Sequence, residues 1–425
     1  MSRRVVFFLS GAVAVLLVIA LLVFFDPFGE AFDRVFLQQE GSAVGNVEFD
    51  IVWRDSRADI SAAPTEAVRM TERYFECFYS AWGDKEADCE KVLTELYADS
   101  CTDCLYDLGA LASCASRLKG SAIDLTAEST RLHLWADNIV EINKDGYILT
   151  VRQSSETVFK SLKGILSGEG IYTHTFIFER YNGVWFITSH QCEGGVWYYS
   201  RQALNALCGQ SAPSYGMLYD GLKLFRARLG QTAEEISGVI TAKGYGSFPE
   251  ADIRYNREGA VEYAFRWASA VRETRNTAQW SDYDNDSGNF VSQCIYSGVG
   301  KMDTEGIYIW KWFGERVNYD IPDKGCSMSW TTPDNFWLYC RGHERTGLIT
   351  YTGISGGQLE KGDVVQLMLG ESAFAQVIVT DTVTDRSGNK LDFLVTGHDS
   401  DLVNYPLSLL NCDGIRLIKI IGFTE

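Results

Sequence analysis

Hydrophobic and polar positions change their period several times along the chain. Val5 through Phe25 is a run of 21 residues without a charge, relieved only by Ser10 and Gly11. At helical rise it covers about 31 Å, the thickness of a bilayer's hydrocarbon core. Arg3 and Arg4 precede it, and Asp26 and Glu30 follow. The positive-inside rule then puts the N-terminus in the cytoplasm and the bulk of the chain outside. The run exceeds the usual apolar length of a cleavable signal, and no Ala-x-Ala follows it. The expectation is an uncleaved transmembrane signal anchor over 1–30 of a single-pass plasma-membrane protein, followed by a spacer over 31–64.

From Pro64 the apolar positions recur at helical spacing: Val68, Tyr74, Phe75, Phe78, Tyr79 and Trp82, with Thr65 as cap. Shorter helices follow around 86–98 and 103–118. From about 123 the period becomes two, in His133–Trp135, Val140–Ile142, Tyr147–Val151, Tyr172–Phe178 and Val184–Thr188. Asn143–Gly146 and Tyr181–Gly183 punctuate these strands as hairpin turns. Helices first and an antiparallel meander afterwards predict an α+β domain over 65–200, its helices packed on one curved sheet.

Residues 201–250 read as a helical connector, with Leu218, Leu222, Leu224, Phe225 and Leu229 on its face and a Gly-rich end, Gly244–Pro249. A last domain spans 251–425. It opens on a helix with Ala260, Val261, Ala264, Trp267 and Ala268. After an acidic stretch, Trp280–Asn285, apolar residues return at helical spacing as Phe290, Val291, Cys294, Ile295 and Val299. A second helix therefore starts near Asp286.

The formal charge is −18. A surface that acidic excludes nucleic acid as a partner, because the phosphate contribution would be repulsive. Eleven cysteines, an odd number, leave at least one thiol unpaired; disulfides, buried thiols and a metal site among Cys89, Cys101, Cys104 and Cys114 all stay open. No cofactor or metal is expected, since no second Cys-x-x-Cys or His pair accompanies that cluster. His133, His174 and His190 lie in the meander, where His174 is expected at the surface or the edge of the core. His343 sits in a polar loop.

The start of the second helix, Asp286-Ser-Gly-Asn-Phe-Val-Ser-Gln293, is the place for chemistry, because free N–H groups and the helix dipole stabilise an anion there. The segment resembles the nucleophile segment of the putative amidase domain family, papain-like cysteine amidohydrolases related to the CHAP group. There it reads Asp-Cys-Thr-Asn-Phe-Val-Ser-Gln. Further blocks occur in the family's order: Tyr255–Ala264, Ser329–Phe336, Leu359–Leu367, Gln376–Thr380 and Thr396–Asp401. The element order of 65–200 is similar to the cystatin-like cone of the nuclear-transport-factor-two superfamily. The resemblance thus implies an α+β chain with a transmembrane helix, a cystatin-like cone and a papain-like α+β domain.

It also implies that the family's nucleophile falls on Ser287 and its histidine base on Ala375. A serine depends on its base more than a cysteine does, and both positions have changed together. The expected function is therefore an amidase-like pseudoenzyme that binds or scaffolds at the bacterial cell envelope, with a cell-wall peptide or an envelope protein as partner. One alternative is an amide hydrolase pairing Ser287 with His398, the ring oriented by Asp363 or Asp399. Another is a structural subunit of a membrane complex. Asp286, Asn289, Gln293, Asp363 and Asp399 are the expected supports of the cleft.

Overall fold

The computed structural model describes residues 48–80, 86–272, 274–342 and 346–425. The expected anchor over 1–30, most of the spacer and His343 lie outside the described residues. The described residues form one compact unit.

Strand β1 (Glu48–Trp53) runs parallel to β2 (Ala127–Asn143). Between them come helices α1 (Thr65–Ser80), α2 (Glu86–Leu96) and α3 (Thr102–Gly120). Strands β2, β3 (Gly146–Phe159), β4 (Ser167–Tyr181) and β5 (Val184–Cys192) form an antiparallel meander. The two segments expected at 133–135 and 140–142 are one strand. A bulge at Asp137 shifts the register between Ala136 and Asn138, which is where the alternation breaks. The turn joining β4 to β5 holds Asn182 and Gly183 at φ 51° and 85°, the left-handed pair that a tight hairpin requires.

Helices α4 (Gly195–Cys208) and α5 (Tyr215–Thr241) follow. Helix α5 is no loose connector: Leu218, Leu222, Phe225, Leu229, Ala233, Ile236 and Ile240 are buried along one stripe, whereas Leu224 is exposed. That stripe packs on α3 and on strands of the last part of the chain.

The last part comprises β6 (Ile253–Arg254), α6 (Arg257–Trp267), α7 (Ser287–Val299), β7 (Trp312–Phe313), β8 (Gly325–Cys326), α8 (Met328–Thr331) and α9 (Pro333–Gly342). Strands β9 (Gly347–Thr352), β10 (Val364–Leu369), β11 (Ser372–Thr384), β12 (Lys390–Gly397), β13 (Leu402–Pro406) and β14 (Gly414–Thr424) complete it.

The predicted fold class is corrected here. Instead of a membrane helix and two separate α+β domains, the described residues form an α+β unit with one large mixed sheet, in the order β1-β2-β3-β4-β13-β12-β11-β10-β14-β6. The junction is the pair Gly168–Val403, reinforced by Ser167 Oγ donating to Asn404 O at 2.8 Å and Gly170 N to Ser400 O at 2.9 Å. One apolar core runs from Tyr74, Phe75 and Phe78 through Val151 and Phe176 to Val365, Val377 and Val395. A continuous core, rather than a contact between two closed ones, is why the halves form one unit. Among the described residues, no helix is long and apolar enough to cross a membrane. Among the described residues, the eleven cysteines form no disulfide.

Candidate functional site

Helix α7 begins in a fully buried setting. Asp286 occupies the cap position, and Ser287, Gly288, Asn289 and Phe290 are all buried behind it. Gly288 allows this: a Cβ there would lie 2.3 Å from the Thr331 carbonyl oxygen of α8. The polar side chains of the first turns form a frame. Asn289 Nδ2 donates to Asp286 Oδ1 (2.8 Å) and Ser281 O (3.0 Å), while its Oδ1 accepts from Trp330 Nε1 (2.9 Å). Gln293 Oε1 accepts from the Tyr263 hydroxyl at 2.8 Å.

His398 follows β12 and is buried. Its ring stacks on Phe290, centroids 3.7 Å apart. Nε2 lies 2.7 Å from the Trp267 carbonyl oxygen and Nδ1 lies 2.5 Å from Asp286 Oδ2. A carbonyl only accepts, so Nε2 donates to it, and Nδ1 is engaged by Asp286. The ring therefore has no lone pair left for a serine hydroxyl. Ser287 Oγ is instead directed at Asn285 Oδ1, 3.4 Å away, and at the Asp399 carboxylate. The structure brings His398 to Asp286 rather than to Ser287.

Asp399, at φ 72°, turns its carboxylate back onto the helix start. It accepts from the N–H of Asp286 at 2.5 Å and of Ser287 at 2.9 Å. These are the free donors that a helix N-terminus offers to an anion. Burial raises the Asp399 carboxyl above its ordinary range, and those N–H bonds pull it partly back.

Ala375 and its neighbour face opposite ways on β11, as alternate strand residues do. Ala375 packs against the large apolar core. Gln376 points to α7, its Nε2 donating to Gly288 O at 3.3 Å and its Oε1 accepting from Gln366 at 3.0 Å. Asp363 serves a different node: Arg257 (2.7 Å), Lys419 (3.3 Å) and the Ile420 N–H (3.0 Å) hold it at the start of β10. Burial raises its carboxyl, and Arg257 and Lys419 oppose that rise.

Sequence reasoning passed over Arg275, Gln376 and Asp401. Arg275 lies 2.8 Å from Asp401, 3.4 Å from Asp282 and 3.9 Å from Asp286. Gln376 was detectable as the polar residue interrupting a buried apolar strand. Arg275 carried no local signal. Beside Asp286 and His398 lies a cavity of about 10 Å³, also lined by Arg275, Asn276, Trp280 and Asp282. That volume holds about one water.

The meander histidines are all buried, contrary to the expectation for His174. Phe75 and Trp197 cover its strand face, with ring centroids at 5.0 and 4.6 Å. His190 Nδ1 lies 2.8 Å from Asp107 Oδ2, His190 Nε2 lies 3.0 Å from His174 Nδ1, and His174 Nε2 lies 3.8 Å from Cys192 Sγ. His133 pairs with Glu156 at 2.9 Å and accepts from Arg54 Nε at 3.1 Å.

Residues 254–421, about two fifths of the chain, match the family model described as putative amidase domain. No curated protein and no solved structure matches the chain.

Proposed function

We propose that residues 254–421 act as a non-catalytic, amidase-like module whose role is recognition or scaffolding, with a cell-wall peptide or an envelope protein as the class of partner. The observation that carries this reading is the capping of the Ser287 N–H by Asp399 at 2.9 Å. In acyl transfer, a preorganised N–H at the nucleophile stabilises the oxyanion, and its loss costs orders of magnitude in rate. Here a carboxylate occupies that donor and would repel an oxyanion. Three further features support the reading. Ser287 is fully buried, both nitrogens of His398 are engaged, and the side chain that reaches α7 from β11 is an amide.

The test is amide hydrolysis by the full-length chain on muropeptides and aminoacyl amides, beside Ser287→Ala, Ser287→Cys/Ala375→His and Ser287→Cys/Gln376→His. The expected result is no turnover in the wild-type chain. Wild-type turnover abolished by Ser287→Ala would overturn the reading in favour of a serine amidase. The two double variants compare the base position implied by family resemblance with the one that faces α7.

A further inference from the structure

We infer that the ribbon formed by β7 and β8, with the residues around it, is the docking surface for a partner protein segment that carries apolar side chains flanked by lysine or arginine. Phe313, Val317, Tyr319, Ile321 and Met328 are all exposed, with Val317 at 53%. Large apolar side chains gathered on one short stretch, rather than scattered singly, mark interaction sites. Trp312 turns into the core against Trp280, ring centroids 5.2 Å apart, so its neighbour Phe313 points outward.

The frame beneath these side chains is fixed. Trp312 and Phe313 pair with Cys326 and Gly325. Cys326 N donates to Arg316 O at 3.0 Å, Asn318 N to Cys326 O at 2.9 Å, and Met328 N to the Tyr319 hydroxyl at 2.9 Å. The buried Lys311 ammonium holds the Ile321 carbonyl at 2.5 Å. Apolar groups presented on a fixed frame lose little conformational freedom when a partner covers them.

Charge selects the occupant. Glu305, Glu315, Asp320 and Asp323 are exposed along this stretch, against Arg316 and Lys324. The chain as a whole carries −18. A second copy or an anionic lipid surface would meet like charge, whereas lysine or arginine flanking an apolar segment meets its complement. The ribbon also borders the candidate site: Ser281 Oγ donates to Glu315 at 2.8 Å, and Trp312 Nε1 to the Tyr283 hydroxyl at 3.1 Å.

This inference rests on the scaffolding reading, but its test has a separate readout. The probe is a labelled amphipathic helical peptide of leucine and lysine, with a leucine–glutamate peptide as control, titrated against the full-length chain by fluorescence anisotropy. The lysine peptide should bind at least about tenfold more tightly than the control, and more weakly as salt screens the rim charges. Phe313→Ser, Val317→Ser and Met328→Ser should each weaken it about tenfold or more, with unchanged circular dichroism. Asp320→Lys/Asp323→Lys should reduce the preference for the lysine peptide without altering the apolar face.

Equal affinity for the two peptides, or indifference to the serine variants, would overturn the inference. So would concentration-dependent self-association, or binding to phosphatidylcholine vesicles, that Phe313→Ser abolishes. Detection of amide hydrolysis would refute the scaffolding reading while leaving these affinities unchanged.

Discussion

His398 is hydrogen-bonded to Asp286 beside a cavity that fits about one water, whereas Asp107, His190 and His174 are hydrogen-bonded in series inside an aromatic core. The residue types are the same, but the surroundings differ. In the core, Phe176 stacks on His190 at 4.4 Å, Trp197 meets His174 edge-on, and the Tyr97 hydroxyl donates to Asp107. Burial, with His190 alongside, holds the His174 imidazole well below its ordinary value, and burial raises the Cys192 thiol. That relay is kept neutral at its thiol end. The pair at α7 lines a small pocket, and both nitrogens of its ring are engaged, so no acceptor is left for a nucleophile's proton. The comparison shows that a histidine–carboxylate contact signals chemistry only when the ring keeps a lone pair and a route to substrate.

The largest effect should come from Asp107→Ala. It leaves His190 and the Tyr97 hydroxyl without their buried partner, a loss of about 3–5 kcal/mol by analogy with broken buried pairs. Asp286→Ala should cost about 1–3 kcal/mol, because water at the cavity can replace part of what is lost. Urea denaturation of both variants checks this, and equal losses would break the comparison.

The pH dependence should sharpen it. His174 has a folded pKa below its unfolded value near 6.5, so in acid the unfolded chain binds the extra proton. Stability is then lost as pH falls below 6.5 towards the folded value, and His174→Phe should flatten that acid limb. Glu169 acts in the opposite sense. Burial raises it to about 7, against bonds from Tyr172 and Tyr405. It ionises first in the unfolded chain, so stability falls as pH rises from 4.5 towards 7. Glu169→Gln should remove on the order of 1–2 kcal/mol of that fall, a value trimmed by the exposure the residue retains. Melting curves across pH 4–8 for the two variants separate the limbs.

Smaller changes probe the helix start. Asp399→Asn keeps an oxygen acceptor for one N–H and should cost about 1 kcal/mol, the usual value of a cap, without creating turnover. The smallest response is expected from Ser287→Cys. With no free imidazole beside it, the new thiol should alkylate no faster than the buried Cys294, as labelling with iodoacetamide across pH would reveal.

Periodicity marked α1, α3, α6, α7 and the meander hairpins because each buries one face, and one face leaves a repeating pattern in the chain. Residues 254–421 were recognisable because several short blocks occur in a fixed order. The joining of the halves was not legible. It rests on a shared core and on the strand pair Gly168–Val403, formed by residues far apart in sequence and without a distinctive local pattern. The same holds for His174, placed at an edge by its alternating strand and buried by α1 and α4. Likewise, Gln376 and Ala375 are adjacent in sequence, and only their strand's packing decides which of them meets α7.

The sequence alone marked most of the helices and the meander, a helix starting near Asp286, and the acidic net charge, since each depends on local residue chemistry. The tertiary structure alone decided that one large sheet and one apolar core bridge the two halves. It alone also decided that Asp399 caps the Ser287 N–H and that His398 turns to Asp286. Those outcomes depend on which distant groups meet, and a linear pattern does not encode the direction of a buried side chain.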